Sequence, residues 1–280
     1  MASRRFIQCD VFTPVPTKGN GLAVVVDGEG LSDAAMQDFA AWTMLAETTF
    51  LMPPTTADAD YKVRIFTPTR EMPFAGHPTL GSCAAWLHCG GKPKSEGVVR
   101  QECGVGIVAI DTTGPAFAFA APPTAAAPLA DDRRDALIAT LGLAPGRILN
   151  AMHLANGPVW TLFELASAED VLAVDSSRVN YHQHGYVGFI GPHPRGSECD
   201  YEVRLLAPSS GASEDPITGS LNAAIARWKY SSGAWKGPVT VAQGTNIDRI
   251  GRVSIRHDAA SDTVWIGGQT CVLIEGTVNL

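Results

Sequence analysis

The chain predicts a mixed α+β fold built from two similar halves, and three observations predict it. The first is an internal duplication. Tyr61-Lys62-Val63-Arg64-Ile65-Phe66-Thr67-Pro68 runs toward Gly76-His77-Pro78-Thr79-Leu80-Gly81, and Tyr201-Glu202-Val203-Arg204-Leu205-Leu206-Ala207-Pro208 runs toward Asp215-Pro216-Ile217-Thr218-Gly219-Ser220. The offset is 140 from Tyr61 to Tyr201 and 138 from His77 to Asp215, so the second loop is two residues shorter. The second observation is that short strand-like segments outnumber helical ones, with one principal helix per half, which is not the regular alternation of a parallel α/β protein. The third is a content of 28 Gly and 19 Pro in 280 residues, which calls for many turns and short elements. Each half is expected to curl a sheet around its helix.

The elements follow in order. Arg5–Phe12 and Leu22–Val26 read as strands. Ser32 is placed to cap a helix whose Met36, Phe39, Ala40 and Thr43 recur at helical spacing. Glu47–Met52 reads as a strand leaving a helix end. The Tyr61 strand comes next, then a helix from about His77 to His88 that Gly90-Gly91 stops. Val98–Gln101, Gly106–Asp111 and Ala116–Ala120 read as further strands. Pro122-Pro123-Thr124-Ala125-Ala126-Ala127-Pro128 has the composition of a linker. A helix over Asp131–Leu141 follows it, then strands near Val159–Glu164 and Tyr186–Ile190. The Tyr201 strand and a helix from about Pro216 to Trp228 repeat the earlier theme. Strands near Val239–Gln243, Val253–Arg256, Val264–Ile266 and Cys271–Val278 finish the chain. Trp42, Trp86, Trp160 and Trp228 are assigned to core positions.

A chain of this length can form one large domain or two of roughly 140 residues with substantial cores. Apolar residues make up 45 % and charged residues 18 %, ordinary for a globular protein, and the net charge of −7 argues against a nucleic-acid or anionic-membrane partner. No apolar run is long enough to span a bilayer. Met1-Ala2-Ser3-Arg4-Arg5 leads straight into a strand rather than a secretory signal, so a cytoplasmic protein is expected. The six cysteines, Cys9, Cys83, Cys89, Cys103, Cys199 and Cys271, are scattered without a CxxC and are expected to be reduced thiols.

The candidate chemistry lies at the two duplicated helix starts. Each carries a titratable residue just before a proline, His77 in one half and Asp215 in the other. Proline at a first helical position loses no hydrogen bond, because that N–H would be unpaired anyway. The next free N–H groups would come from Thr79, Leu80 and Gly81, and from Thr218, Gly219 and Ser220. Two such positive helix ends facing one cleft would bind a carboxylate without Arg or Lys. The same segments also fit two N-capped helices packed in cores. Glu47 follows Trp42, Met44, Leu45 and Ala46; in apolar surroundings a carboxylate becomes a useful proton carrier, whereas a solvated Glu at a strand edge does nothing. Gly104-Val105-Gly106-Ile107-Val108-Ala109 matches a dinucleotide fingerprint but precedes a strand, not a helix. His182-Gln183-His184 lies in a polar loop and is not assigned a metal.

The fragments also occur in a familiar order. Gly19-Asn20-Gly21-Leu22-Ala23-Val24-Val25, Glu47-Thr48-Thr49-Phe50, Phe74-Ala75-Gly76-His77-Pro78-Thr79-Leu80-Gly81, Glu102-Cys103-Gly104-Val105-Gly106, Glu214-Asp215-Pro216-Ile217-Thr218-Gly219-Ser220 and Gln243-Gly244 together resemble the PhzF-like (phenazine biosynthesis-like) family over nearly the whole chain. The resemblance implies the diaminopimelate epimerase fold: pseudo-symmetric lobes over residues 1–122 and 129–280, the last strand crossing back to the first lobe, and an active site in the cleft between them. It further implies a homodimer and the isomerisation of trans-2,3-dihydro-3-hydroxyanthranilate by an acid/base proton shift, with no cofactor and no metal. By that resemblance Glu47 carries the proton, and His77 and Asp215 contact or orient polar substituents. Gly76, Gly219 and Ser220 hold the substrate carboxylate, and Asn20 lines the site.

Related epimerases use two cysteines as acid and base; here those positions hold Gly76-His77 and Asp215, so a two-thiol racemase is disfavoured. Three departures from the family pattern bear on the substrate: Leu221-Asn222 after the second motif, Arg204-Leu205-Leu206-Ala207-Pro208 before it, and Gly19-Asn20-Gly21 in place of Gly-Asn-Pro. The leading expectation is a cofactor-free isomerase acting on a small cyclic carboxylate. The alternatives are a non-catalytic binding protein of the same fold and an epimerase that uses Glu47 and Asp215 in place of thiols.

Overall fold

The structure, a computed structural model, describes residues 2–179, 181–206 and 214–280. The chain divides into two compact units, Met1–Ala120 with Gly267–Leu280, and Ala121–Ile266. Unit 1 contains β1 (Ser3–Val11), β2 (Asn20–Val25), α1 (Asp33–Thr43), β3 (Glu47–Met52), β4 (Tyr61–Phe66), β5 (Glu71–Met72), α2 (Gly76–His88), β6 (Val98–Cys103), β7 (Gly106–Asp111) and β8 (Phe117–Ala120). Unit 2 contains β9 (Ala125–Pro128), α3 (Asp131–Leu141), β10 (Ile148–Ala155), β11 (Val159–Leu165), α4 (Ala168–Leu172), α5 (Tyr181–His184), β12 (Val187–Pro192), β13 (Tyr201–Leu206), α6 (Gly219–Ser231), β14 (Val239–Gln243), β15 (Gly251–Asp258) and β16 (Thr263–Gly268). The final strand, β17 (Thr270–Asn279), returns to unit 1.

The duplication seen in sequence extends to strand order. In unit 1 the strands run β17-β1-β2-β3-β4-β6-β7, joined in turn by antiparallel, antiparallel, parallel, antiparallel, parallel and antiparallel pairings. In unit 2 the run β9-β10-β11-β12-β13-β14-β15 has the same six polarities in the same order. Each principal helix connects the parallel pair that it follows, α2 between β4 and β6 and α6 between β13 and β14.

In unit 1 the sheet wraps α2, which packs against β1, β2, β3, β6, β8 and β17. The helix is buried from Gly76 through Cys83. It approaches the sheet so closely that a Cβ on Gly81 would lie 2.5 Å from Leu22 Cδ2. On the opposite side of unit 1, Ser32 caps α1 by accepting the Ala35 N–H at 3.2 Å. Met36, Phe39 and Ala40 then pack with Val25, Phe50 and Phe66 in a core of their own. In unit 2, α3 and α4 bury Leu137, Leu141 and Val171 against Phe163, Leu165, Val187 and Phe189.

Three sequence expectations about the elements are corrected. The principal helices are not opened by proline: α2 starts at Gly76, with Pro78 third, and α6 starts at Gly219, after Pro216. The linker expected over 122–128 holds strand β9, paired with Met152–Ala155 of β10. Pro128 is tolerated there because β9 is a short exposed edge, where a missing N–H costs little. Trp42 is 77 % exposed rather than buried. Strand β10 and helix α4 are not expected from the sequence; only Leu154 of β10 is fully buried, so its pattern lacks apolar alternation. The Ala207-Pro208 turn of the second copy lies outside the described residues, as does the His182 side chain.

Candidate active site

The chemistry-bearing residues of unit 1 gather at one end of its sheet. Strands β2 and β3 run parallel, with Leu22 opposite Glu47, so Asn20 and Glu47 open their strands at the same edge. The loop before Asn20 is fixed from below. Asp10 is buried and accepts the Gly19 N–H at 2.8 Å. A Cβ on Gly19 would lie 2.4 Å from the Val11 carbonyl oxygen, so no other residue fits without movement. Asn20 is 2 % exposed. The first turn of α2 meets this edge: His77 Nδ1 lies 3.3 Å from Glu47 Oε2. Behind the contact, the Ser82 hydroxyl donates to Thr49 Oγ1 at 2.9 Å, tying the helix to β3.

Burial decides the charge of this pair. His77 is 5 % exposed, and desolvation pushes its pKa down to about 3, against the opposing pull of a hydrogen bond with the Gly21 backbone. His77 is therefore neutral at physiological pH, and its 3.3 Å contact with Glu47 is a close approach of polar atoms rather than an ion pair. His77 Nε2 is buried and has no partner among the described residues.

In unit 2 the second motif divides its labour between adjacent acids. Glu214 and Arg204 are both almost fully buried and paired, with Arg204 Nε donating to Glu214 Oε2 at 2.9 Å and Nη2 to Oε1 at 3.2 Å. Arg204 Nη1 also donates to the carbonyls of Val171 and Val174 at 3.0 and 2.7 Å. That network anchors the chain just before Asp215. The Asp215 N–H donates to the Leu205 carbonyl at 3.0 Å, bridging the turn to the end of β13. The Asp215 carboxylate accepts a close hydrogen bond from the Thr218 hydroxyl. Gly219 and Ser220 form the first turn of α6, and the Ser220 carbonyl accepts from Asn156 Nδ2 at 2.8 Å.

The N–H groups expected to be free are partly consumed. The Thr79 N–H goes to the Ala75 carbonyl at 3.2 Å, and the Thr218 N–H to Gln243 Oε1 at 3.1 Å. The helix starts explain both: Thr79 is already inside α2, and Thr218 is the N-cap of α6. The helix-end donors lie instead at Gly76 and His77, and at Gly219 and Ser220. The structure thus brings Glu47, His77, Asn20 and Gly76 together in unit 1, and Asp215, Gly219 and Ser220 together in unit 2. Missed by sequence reasoning were the two glutamines that hold these starts. Gln101 Nε2 donates to Thr79 Oγ1 at 3.0 Å, and Gln243 Nε2 to Thr218 Oγ1 at 3.1 Å. The signal was present as a repeat, since each Gln lies in the strand that follows its helix.

The thiols are poorly suited to base chemistry. Burial pushes all six upward, Cys9 to about 12, and none stands at a helix start. Gly104 and Gly106 flank a tight hairpin between β6 and β7, with Cys103 paired to Gly106, and not a nucleotide-binding helix start. No cluster of metal-ligating side chains occurs among the described residues. No helix among them is long and apolar enough to cross a membrane.

Comparison with known proteins gives a consistent picture. The profile of the phenazine biosynthesis-like protein family matches residues 9–276. Antisense-enhancing sequence 1 of Schizosaccharomyces pombe is 32 % identical over 295 aligned residues, covering 99 % of each chain. An uncharacterized isomerase of Mesorhizobium japonicum is 34 % identical, covering 81 % of this chain and 80 % of its own. The trans-2,3-dihydro-3-hydroxyanthranilate isomerase of Pseudomonas fluorescens is 29 % identical, covering 98 % and 99 %. Among solved structures, a PhzF-family phenazine biosynthesis protein of Bacillus anthracis superposes over the whole of both chains with a TM-score of 0.83 at 21 % identity. A hydroxyproline epimerase of Agrobacterium vitis superposes with a TM-score of 0.64 at 13 % identity, covering 99 % of this chain and 93 % of its own. The fold is therefore α+β and epimerase-like, and with a profile match over nearly all of its length the chain belongs to the phenazine biosynthesis-like protein family.

Proposed function

We propose that the protein is a cofactor-independent isomerase that moves a proton within a small, cyclic carboxylate substrate, and that it works as a homodimer. The observation that carries this reading is Glu47 at the open end of β3 with the buried, neutral His77 against it. Glu47 as carboxylate takes a proton from a substrate carbon, the electron pair shifts through the adjacent double bond, and the resulting carboxylic acid returns the proton at the far carbon. Nothing is oxidised or reduced. The imidazole, kept uncharged by burial, lies against the carboxylate without competing for the proton. A positioned acid/base of this kind contributes about 10²–10⁴ in rate. We assign Asp215, held by Thr218, to a polar substituent of the same substrate. The helix-end donors at Gly76, Gly219 and Ser220 take its carboxylate, and Asn20 lines the site. Relatives named isomerases support the reaction class, and the substrate in one relative's name gives the first compound to try.

The test is turnover of trans-2,3-dihydro-3-hydroxyanthranilate and related cyclic carboxylates in heavy water, followed by proton NMR, for the wild type and Glu47→Gln. The amide keeps the shape but cannot return a proton, so turnover should fall by about 10²-fold or more while binding survives. A migrated double bond with deuterium at the new carbon supports the isomerase. Inversion of a centre without migration would indicate the epimerase instead. Wild-type turnover by Glu47→Gln would remove Glu47 from the mechanism.

A further inference from the structure

We propose that Gln243 is a positioning residue that fixes the direction of the Thr218 hydroxyl proton and thereby holds Asp215 as an acceptor-only carboxylate. The inference rests on the reading of Asp215 as a site residue and adds the device that prepares it.

The hydrogen-bond directions follow from what each group is able to do. The Thr218 backbone N–H can only donate, and it meets Gln243 Oε1 at 3.1 Å. Asn222 Nδ2 donates to the same oxygen at 2.9 Å. On the other side of the amide, the Asp215 carbonyl can only accept, and it lies 3.3 Å from Gln243 Nε2. An N–H on one side and a C=O on the other leave one orientation for the glutamine amide, so the assignment comes from chemistry. Nε2 must then also donate to Thr218 Oγ1, at 3.1 Å. A threonine hydroxyl has one proton. With Nε2–H arriving at the oxygen, that proton is directed to Asp215 Oδ2, its close partner. A donor aimed at a carboxyl oxygen favours the ionised acid.

Unit 1 shows what the same couple does without an acid at its end. Gln101 accepts from the Tyr61 hydroxyl at 2.8 Å and donates to Thr79 Oγ1 at 3.0 Å. The Thr79 hydroxyl then donates to the Ala75 carbonyl at 2.9 Å. There the proton closes the first turn of a helix. In unit 2 the helix starts one residue after the threonine, so the turn that would have accepted the proton is absent and Asp215 takes that place. Gln243 also has all four of its hydrogen-bonding positions used, which leaves it no freedom to rotate. Charged groups of unit 2 near this turn, among the described residues, include Glu214 and Arg204, which pair with each other, Arg249 and Asp248 in the turn after β14, and Glu202, which accepts from the Thr245 hydroxyl of that turn.

The experiment is a carboxyl carbon-13 NMR titration of the full chain labelled at aspartate side chains, with Asp215 assigned through Asp215→Asn. Thr218→Val removes the donor while keeping the shape, and should raise the Asp215 midpoint by about one pH unit or more. Thr218→Ser should restore it. Gln243→Glu puts an acceptor where the donor stood and draws the hydroxyl proton away, raising the midpoint as well. Because that variant also adds charge, the double variant decides the coupling. If Gln243 acts through Thr218, the Gln243→Glu step should be smaller in the Thr218→Val background than alone. An Asp215 midpoint unmoved by Thr218→Val, or equal steps in both backgrounds, would overturn the proposal. The titration needs no turnover, so a protein that shows these shifts yet fails to isomerise any carboxylate leaves this inference standing and defeats the functional one.

Discussion

His77 is the residue at which burial bears most directly on the proposed chemistry. The unfolded chain would protonate an ordinary histidine near pH 6.5, whereas in the folded protein protonation waits until about pH 3. Between those values the unfolded state binds the extra proton, so folding stability falls as pH falls through that window and is complete above it. One proton sets the slope at no more than about 1.4 kcal/mol per pH unit. Denaturant midpoints measured from pH 7 to pH 4 should decline more steeply for the wild type than for His77→Asn; parallel declines would show that His77 is not buried uncharged. Gly19 makes a second claim at this scale. Its missing side chain lets β2 begin within van der Waals reach of Val11 and Thr13. Gly19→Ala should cost about 1–3 kcal/mol and displace Asn20, measured as lost stability together with weakened carboxylate binding.

At the scale of elements, the duplicated strands β4 and β13 carry the same arginine in opposite settings. Arg64 pairs with Glu71 and Asp33 near solvent, whereas Arg204 pairs with Glu214 in the interior. Glu71→Gln should cost about 1 kcal/mol or less. Glu214→Gln leaves a buried guanidinium without its counter-charge and should cost about 3–5 kcal/mol. Comparable losses in the two variants, read from chemical denaturation, would contradict the burial seen here. The same pair shows what was legible in sequence and what was not. Alternation and capping located most strands and helix α1, because Ile7, Cys9 and Val11, or Met36, Phe39 and Ala40, report their faces directly. The helix starts are not legible locally, because proline reads as an opening signal while the actual boundaries depend on the Thr79–Ala75 bond and on Gln243, 25 residues beyond Thr218. The Glu214–Asp215 pair could not be divided into anchor and site residue without knowing that Arg204 points inward. Trp42 is ambiguous in sequence because a tryptophan after an apolar helical face looks the same whether it is covered or open.

At the scale of the molecule, the two units repeat one wiring diagram, yet they close differently in the chain. The outermost strand of the unit 2 run, β9, comes directly before the strands it joins, whereas the corresponding strand of unit 1 is β17, from the far end of the chain. β17 pairs with β1 from Ser3–Asn279 to Val11–Thr270, and the Thr13 N–H extends the contact to the Gln269 carbonyl at 3.0 Å. It also packs against α2, the helix that carries His77. Unit 1 is thus completed only when the last residues of the chain are in place, while the unit 2 run is complete by β15. A chain ending at Gly268 should therefore lose amide protection in β1, β2 and α2 while keeping it in β13, α6 and β14. The loss follows from exposing a ladder and one face of the helix core, since strands without partners have no other donors and acceptors than water. Hydrogen exchange read by mass spectrometry compares the two units within one molecule, so a general loss of stability cannot imitate the result. Equal loss in both units would show that they fold as one, and unchanged protection in β1 would show that β17 is dispensable to the edge it covers.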